Sequence, residues 1–269
     1  MSTDENWDLV VTDAGANRLD PTLLRKLVEG DVAVIVLRNL LPAEVFADNL
    51  ARVRELFGSA STTTYANGAL TTIGPYLAKY LSDFESYTAA AKEARALLDS
   101  VSFDLDARVR DRLRDQLGLA GLDPARQADG EEYAASVIRI HADGVRNPLH
   151  NDNIMRDARD TDLALKELAY QLSCVVCMQE CSSGGELRIY RKPWEPADEK
   201  FKIPSGLGYD EEVVANVPMQ EFKPRTGDVY LINPTRYHSI ERVSGLDRLT
   251  LGFFFGFADH SLRSAVVWG

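Results

Sequence analysis

The sequence has few of the features that mark a secreted or membrane-bound protein. Its 269 residues include only three cysteines, and an odd count gives no disulfide framework. It contains no run of about 18 consecutive apolar residues, the length that a membrane span requires. Residues 1–8 are acidic and polar, unlike the basic and then apolar start of a signal peptide. We therefore expect a soluble, cytoplasmic protein.

Positive charge is also scarce. The 30 lysines and arginines are outnumbered by 41 aspartates and glutamates, which gives a net charge of −11. A chain with this balance is repelled by nucleic acid and by anionic membrane surfaces. We expect a small-molecule substrate, with neither nucleic acid nor membrane as a partner, and a homodimer stays open as the assembly.

The three cysteines lie within one short segment, and Cys174 and Cys177 form a C-x-x-C pair. The apolar run at 172–178 predicts a strand, where a spacing of three places the two side chains on opposite faces. This favours buried, inert thiols over a redox or metal-binding pair.

The chain divides into a helical half and a strand-rich half of one domain, 1–269. Helical periodicity is present at 21–29, where Asp20 is a candidate N-cap, and at 42–57, 84–98 and 107–117, with a short strand at 32–37. Strands are predicted at 134–141, 171–178, 186–190, 228–233 and 249–257. The fold class is therefore α+β: a mainly helical support region, 1–130, packed on an antiparallel β-sandwich or jelly-roll core, 131–269.

A long polar segment interrupts the strand-rich half. Residues 191–226 carry five prolines and many charges, and they are too long for a hairpin turn. We interpret them as a surface insertion or as a lid over an active site.

Only four histidines are available as metal ligands, and two of them begin an H-x-D motif: His141 with Asp143, and His150 with Asp152. His141 ends a predicted strand and Asp143 begins a turn, so a structural role fits the first motif. His150 lies where a returning strand would begin, which favours the second. Together with His238, His150 and Asp152 form a set of two imidazoles and one carboxylate that is typical of non-haem Fe(II) with open coordination positions.

An R-x-T motif follows His238 at a spacing of ten residues, as Arg248 and Thr250. Residues two apart on a strand point to the same face, and a buried arginine is costly without an anion. The distal carboxylate of 2-oxoglutarate would supply that anion; a structural pair with a core carboxylate is the alternative. Gln171, Ser173, Val175 and Cys177 share one strand face, which either lines a partly wet cavity near the metal or faces solvent.

The chain resembles the Fe(II)/2-oxoglutarate dioxygenases, and within them the group that contains the N-succinyl amino acid β-hydroxylases and the carrier-free indole alkaloid halogenases. The segments that carry the likeness are 138–152, 171–173, 184–187 with Trp194, 227–228, 236–238 and 248–253. The resemblance implies a double-stranded β-helix, the cupin-like jelly roll. It aligns His150, and not His141, with the first iron ligand.

The resemblance also implies the chemistry. Fe(II), 2-oxoglutarate and O2 are the expected cofactor and co-substrates, with Arg248, Thr250, Gln171 and Ser173 binding 2-oxoglutarate. Halogenases of this group have a glycine where this chain has Asp152, so we expect hydroxylation of an unactivated C–H bond of an amino acid, an N-substituted amino acid or a related natural-product intermediate. Alternatives are desaturation, cyclisation or epimerisation, and a non-catalytic cupin-like metal-binding protein. The predicted substrate-binding residues are Tyr76, Asn147, Met155, Arg156 and Phe253, with Arg156, Arg188 and Arg191 as candidate partners of a substrate carboxylate.

Overall fold

A computed structural model describes residues 7–269, so most of the acidic N-terminal segment lies outside the described residues. Five α-helices are present in this range: α1 (Thr22–Glu29), α2 (Ala43–Glu55), α3 (Phe84–Ser100), α4 (Leu105–Leu117) and α5 (Ile154–Asp157). Fourteen strands accompany them: β1 (Asp8–Asp13), β2 (Val32–Arg38), β3 (Ser61–Tyr65), β4 (Gly68–Ile73), β5 (Gly121–Pro124), β6 (Val137–His141), β7 (Asn147–His150), β8 (Tyr170–Gln179), β9 (Leu187–Pro193), β10 (Met219–Phe222), β11 (Val229–Ile232), β12 (Arg236–Ile240), β13 (Arg248–Phe257) and β14 (Ser264–Trp268). None of the helices in this range combines the length and the apolarity that crossing a membrane would need.

The strands form two sheets. The larger sheet has the order β1-β2-β11-β8-β13-β6-β4-β3, and β14 and β5 extend it from the second half of β13. The smaller sheet has the order β10-β9-β12-β7 and is antiparallel throughout. Apolar side chains of the two sheets pack against each other, among them Val36 and Tyr230 from the larger sheet and Ile189 and Ile240 from the smaller. The sandwich core and the α+β class agree with the prediction.

The helices cover the outer face of the larger sheet. α1 buries Leu23, Leu24, Leu27 and Val28 on one side, as its helical spacing of apolar residues predicts. It ends at Gly30, whose φ of 84° is left-handed and suits a residue without Cβ. Asp20 accepts hydrogen bonds from the backbone and hydroxyl of Thr22 at the start of this helix. The outer cluster joins helix residues to alternate residues of the central strands β8 and β13.

The N-terminal half contributes more strands than its periodicity indicates. β1, β3, β4 and β5 were not predicted, because they are short, polar or at sheet edges, where few side chains are buried. The β3–β4 hairpin turns at Ala66-Asn67, and strand pairing resumes at Gly68, which lies opposite Tyr65. This hairpin lies beside β6 and places residues 63–79 over the space between the two sheets.

Candidate active site

Three side chains that could bind a metal ion meet beside strands β7 and β12 of the smaller sheet. His150 at the end of β7 and His238 on β12 are paired across the two strands. Asp152 Oδ2 lies 3.7 Å from His150 Nε2 and 3.8 Å from His238 Nε2. One ligand atom from each residue lies within 4.8 Å of the others. The fold therefore brings together the three residues predicted from the sequence.

The two imidazoles are held in the orientation that a metal requires. His150 Nδ1 lies 2.8 Å from the carbonyl oxygen of Pro148, and His238 Nδ1 lies 2.9 Å from that of Arg236. A carbonyl oxygen only accepts, so each Nδ1 carries the proton and each Nε2 keeps its lone pair. Burial, followed by the nearby His150, lowers the pKa of His238 to about 4, which keeps this ring neutral at physiological pH.

Asp152 is fixed by the backbone on both sides. Its N–H donates to Pro234 O at 2.8 Å, next to the strand that carries His238. Asn153 then caps α5 by accepting a hydrogen bond from the backbone of Arg156. Gln171 is buried and accepts a hydrogen bond from Ile154 N at 2.7 Å. Gln171 thus supports the segment that carries Asp152, and it is not among the residues lining the adjacent cavity.

The first H-x-D motif has a different environment. His141 ends β6 in the larger sheet and lies outside the cluster of three ligands. Asp143 accepts a hydrogen bond from Gly245 N, and Gly144 has a φ of 78° in the turn that follows. The structural role expected for Asp143 agrees with these contacts, whereas His141 is 3% exposed and faces the cavity.

Arg248 and Thr250 lie on the larger sheet and face the same cavity as the three ligands. Arg248 is 2% exposed and donates to the Tyr230 hydroxyl at 2.9 Å. No carboxylate within residues 7–269 forms a salt bridge with it, and its Nε has no hydrogen-bond partner there. The alternative of a structural pair with a core carboxylate is therefore wrong for this arginine.

The cavity between the sheets has a volume of about 510 Å³. Its polar lining includes the three ligands, Ser173 and Arg248. Its apolar and aromatic lining includes Tyr65, Leu70, Tyr76, Leu77, Leu187, Leu207, Ile240 and Phe254. A volume of this size, in which polar groups converge among apolar ones, is typical of a site for a small molecule.

The cavity includes some of the predicted ligand-binding residues and excludes others. The cavity lining includes Tyr76, Asn147 and Ser173. The face of β8 that carries Gln171, Ser173 and Cys177 is buried. The alternative that this strand face is exposed to solvent is therefore wrong. Met155 packs into the cluster around Leu77 and Trp268 instead of the cavity.

The prediction that Phe253 binds the substrate is wrong. It is 2% exposed and packs in the outer cluster with the helices, because residues at odd positions of β13 point away from Arg248 and Thr250. Phe254 faces the cavity instead. The spacing from Arg248 already contained this information, but both faces of β13 are apolar and hide the alternation.

The arginines proposed as carboxylate partners are also outside the cavity. Arg156 donates to Asp157 and Asn151, and its guanidinium lies 4.7 Å from the ring centre of Trp194. Arg188 forms ion pairs with Glu221 and Glu241, both at 2.7 Å.

Sequence reasoning missed Arg139, which lies on β6 opposite Thr250 and lines the cavity. Its guanidinium passes over Gly252, where an added Cβ would lie 2.5 Å from Nη1. Within residues 7–269 it has neither a salt bridge nor a hydrogen-bond partner. Burial lowers its pKa, while the charge of Asp152 raises it. The signal available in the sequence was an arginine on the predicted strand that leads to the ligand motif.

The cysteines behave as predicted. Cys174 is fully buried among the outer apolar residues and Cys177 is fully buried on the other face, near Arg248. Burial raises the pKa of both thiols, to about 12 for Cys177. Neither thiol is reactive in this state.

Comparisons with known proteins agree with this geometry. The family described as "Carrier-protein-independent halogenase WelO5" matches residues 7–269. An L-gamma-glutamyl-L-propargylglycine hydroxylase from Streptantibioticus cattleyicolor is 32% identical over 145 residues, which are 53% of this chain and 52% of that protein. The chain thus matches about half the length of this curated relative.

Solved structures share the fold. An N-substituted L-amino acid dioxygenase from Burkholderia ambifaria, in complex with alpha-ketoglutarate, has a TM-score of 0.60 and 16% identity over 92% of this chain and 90% of its own. The alpha-ketoglutarate-dependent epimerase SnoN from nogalamycin biosynthesis has a TM-score of 0.54 and 14% identity, over 90% of this chain and 87% of its own. The two facing sheets are accordingly the double-stranded β-helix of the 2-oxoglutarate oxygenases, and the chain belongs to the family of the carrier-protein-independent halogenase WelO5.

Proposed function

We propose that this protein is an Fe(II)- and 2-oxoglutarate-dependent dioxygenase that hydroxylates an unactivated C–H bond of a small, amino-acid-like molecule. The observation that carries the proposal is the meeting of His150, Asp152 and His238 with the unpaired Arg248 across one cavity. A metal-binding protein without catalytic function has no need of a buried arginine opposite its metal, so this arrangement favours the enzyme over the cupin-like binding protein.

The residues present fit Fe(II). Two neutral imidazoles and one carboxylate offer three ligand atoms on one side and leave the cavity side open. The hydrogen bonds from Nδ1 to backbone carbonyls fix both rings, as is usual for histidines that bind a metal. Bound there, Fe(II) supplies the redox chemistry by which O2 converts 2-oxoglutarate to succinate and CO2 and places one oxygen atom on the substrate.

The floor of the cavity fits a dicarboxylate co-substrate. Arg248 offers a planar pair of N–H donors, and the Thr250 hydroxyl lies two residues away on the same face. The Tyr230 hydroxyl accepts a hydrogen bond from the Arg248 guanidinium. We propose that Arg248 and Thr250 bind the distal carboxylate and that Ser173 lines the space beside it, whereas Gln171 acts only through the backbone of Ile154.

Asp152 decides between hydroxylation and halogenation. The family takes its description from a halogenase, and the halogenases that this chain resembles have a glycine at the position of Asp152, which leaves room for a halide on iron. Here the carboxylate takes that place, since its Oδ2 lies within 4 Å of both imidazoles. Hydroxylation is therefore the proposed outcome, in line with the description of the matched relative as a hydroxylase.

The substrate proposal rests on the cavity and on two relatives. The curated relative is described as acting on a glutamyl amino acid, and the Burkholderia ambifaria protein on N-substituted amino acids. The aromatic and apolar part of the cavity lining suits a side chain with C–H bonds, and Asn147 and Tyr76 offer polar contacts in the same cavity. Arg139 and Lys79 replace the three surface arginines as the cationic groups within reach of a carboxylate.

We also propose that residues 203–208 act as part of a lid within the long segment 191–226. Asn67 at the tip of the β3–β4 hairpin donates to Leu207 O and accepts from Leu207 N, both at 2.8 Å. Leu207 lines the cavity, so these two hydrogen bonds hold residues 203–208 against the cavity and limit the access of water to it. The single domain, its cytoplasmic location and a homodimer stay predictions from the sequence.

The test is a screen of free and N-substituted amino acids with Fe(II), 2-oxoglutarate and O2, following succinate and the mass of each product. Hydroxylation adds one oxygen atom, desaturation or cyclisation removes two hydrogen atoms, and epimerisation leaves the mass unchanged. An Asp152→Ala variant is the control. Loss of one metal ligand should lower activity by more than the about 10-fold to 100-fold that follows the loss of a residue that only hydrogen-bonds to a ligand. Succinate formation that is equal in this variant and in the wild type would contradict the proposal.

A further inference from the structure

His141 is the most anomalous polar residue of the cavity. It is 3% exposed, and neither ring nitrogen has a hydrogen-bond partner among the described residues. Buried polar groups are nearly always paired, and leaving one unpaired is costly. The side chain also lines the cavity, so a ligand bound there is the available partner.

The sheet register places this imidazole beside Arg248. His141 and Arg248 are directly paired across β6 and β13, and opposed residues of antiparallel strands point to the same face with their Cβ atoms about 5 Å apart. Arg248 Nε is a second buried atom without a partner. Two unpaired polar groups therefore lie side by side in the lining of the cavity, and no carboxylate within residues 7–269 forms a salt bridge with Arg248.

The imidazole is a neutral group in this setting. Burial, with the positive charge of Arg248 as the next cause, lowers the pKa of His141 to about 3. A neutral ring has one N–H donor, and it adds no repulsive charge next to the guanidinium. It therefore complements an anion that Arg248 already attracts.

We propose that His141 is a positioning residue for the co-substrate, whose ring N–H donates a hydrogen bond to the distal carboxylate of 2-oxoglutarate beside Arg248. The inference rests on the proposed function, because it assumes that 2-oxoglutarate binds in this orientation. It gives the first H-x-D histidine a role that is separate from iron binding, which His150, Asp152 and His238 provide.

The test measures binding of two 2-oxo acids to the Fe(II)-loaded protein without O2. 2-Oxoglutarate and 2-oxopentanoate have the same chelating end, but the second has a methyl group in place of the distal carboxylate. The Kd of each is obtained from the visible charge-transfer band that forms on chelation, and confirmed by calorimetry. The variants are His141→Phe and His141→Gln, and His260→Phe is the matched control, since His260 is exposed and lies outside the cavity.

We expect His141→Phe to raise the Kd of 2-oxoglutarate about 10-fold to 100-fold, the usual effect of losing one hydrogen bond to a charged group. Its Kd for 2-oxopentanoate and its iron content should equal those of the wild type. His141→Gln retains an N–H donor and should restore part of the affinity, and it decides the question if the Phe variant does not fold. His260→Phe should change none of these values.

Three results would overturn the inference. Equal Kd values for 2-oxoglutarate in the variants and the wild type would show that His141 makes no contact with it. An equal loss for both 2-oxo acids would indicate a structural role, and loss of iron would indicate a metal ligand. If instead the wild-type protein with iron binds no 2-oxoglutarate, the proposed function itself fails, which is a different outcome from any of these three.

Discussion

Replacing Arg248 with methionine separates a co-substrate anchor from a structural arginine, because the two roles predict opposite effects on stability. Arg248 is 2% exposed and has no carboxylate partner within residues 7–269. In the protein without iron and 2-oxoglutarate, its charge is therefore buried at a cost of several kcal/mol. An apolar side chain of similar length removes that cost.

The magnitudes follow from the contacts of the side chain. The variant loses one hydrogen bond, from Arg248 to the Tyr230 hydroxyl at 2.9 Å, worth about 1–2 kcal/mol. Since the gain from removing the charge is at least as large, the free energy of unfolding should not fall. Loss of the charged partner of a bound carboxylate costs about 2–5 kcal/mol, which raises the Kd of 2-oxoglutarate about 30-fold to 4,000-fold.

Urea unfolding of the metal-free protein gives the first quantity, and anaerobic titration of the Fe(II)-loaded protein gives the second. Arg38→Met is the matched control, because Arg38 does pair with a buried carboxylate, Asp228, at 3.3 Å. The control should lose stability, by about 1–3 kcal/mol, and bind 2-oxoglutarate normally. If Arg248→Met instead loses about 3–5 kcal/mol, as on breaking a buried ion pair, and still binds 2-oxoglutarate, the reasoning is refuted.

Three further predictions test the geometry of the cavity. Phe253→Ala should lower the free energy of unfolding by about 3–5 kcal/mol without changing the substrate KM. Phe254→Ala should raise the KM, since only Phe254 of the two faces the cavity. The reverse pattern in unfolding and steady-state assays would contradict the assignment of these two side chains to opposite faces of β13. Gly252→Ala places a methyl group 2.5 Å from Arg139 Nη1, so we expect lower kcat/KM at unchanged iron content, and no additional loss when it is combined with Arg139→Met. The pKa of His141 is about 3 in the folded state, against an ordinary value of 6.5 for histidine, so the unfolded chain binds more protons between these values and stability falls as the pH drops below 6.5. His141→Phe should flatten this dependence by about 1.4 kcal/mol per pH unit, and an equally steep profile in urea unfolding at pH 5 and 7 would count against a buried neutral imidazole.

The predictions that succeeded depend on patterns within one strand or between consecutive strands. Arg248 and Thr250 share a face of β13 because they are two residues apart. The helices α1 to α4 follow from apolar spacing that one sheet face then covers. In these places the local preference of the chain and its final packing agree.

The errors arise where both faces of an element are buried. β13 packs Leu251 and Phe253 against the helices while Phe254 lines the cavity, so its sequence is apolar without a visible alternation. Arg139 escaped notice for a related reason. Its importance comes from lying opposite Thr250 and over Gly252, and the register of two strands more than a hundred residues apart is not written in either strand alone.

The two H-x-D motifs show how much the strand pairing adds to the sequence. Both histidines end a strand, and both face the same cavity. His150 lies in the smaller sheet opposite His238, and Asp152 brings a third candidate ligand to the same cluster. His141 lies in the larger sheet opposite Arg248, the proposed partner of a co-substrate carboxylate. Identical motifs thus receive different partners because the turn between β6 and β7 carries the chain from one sheet to the other. The ten residues from His141 to His150 therefore begin and end on histidines that line the same cavity, and substitutions at these two histidines should separate into a loss of co-substrate affinity and a loss of iron.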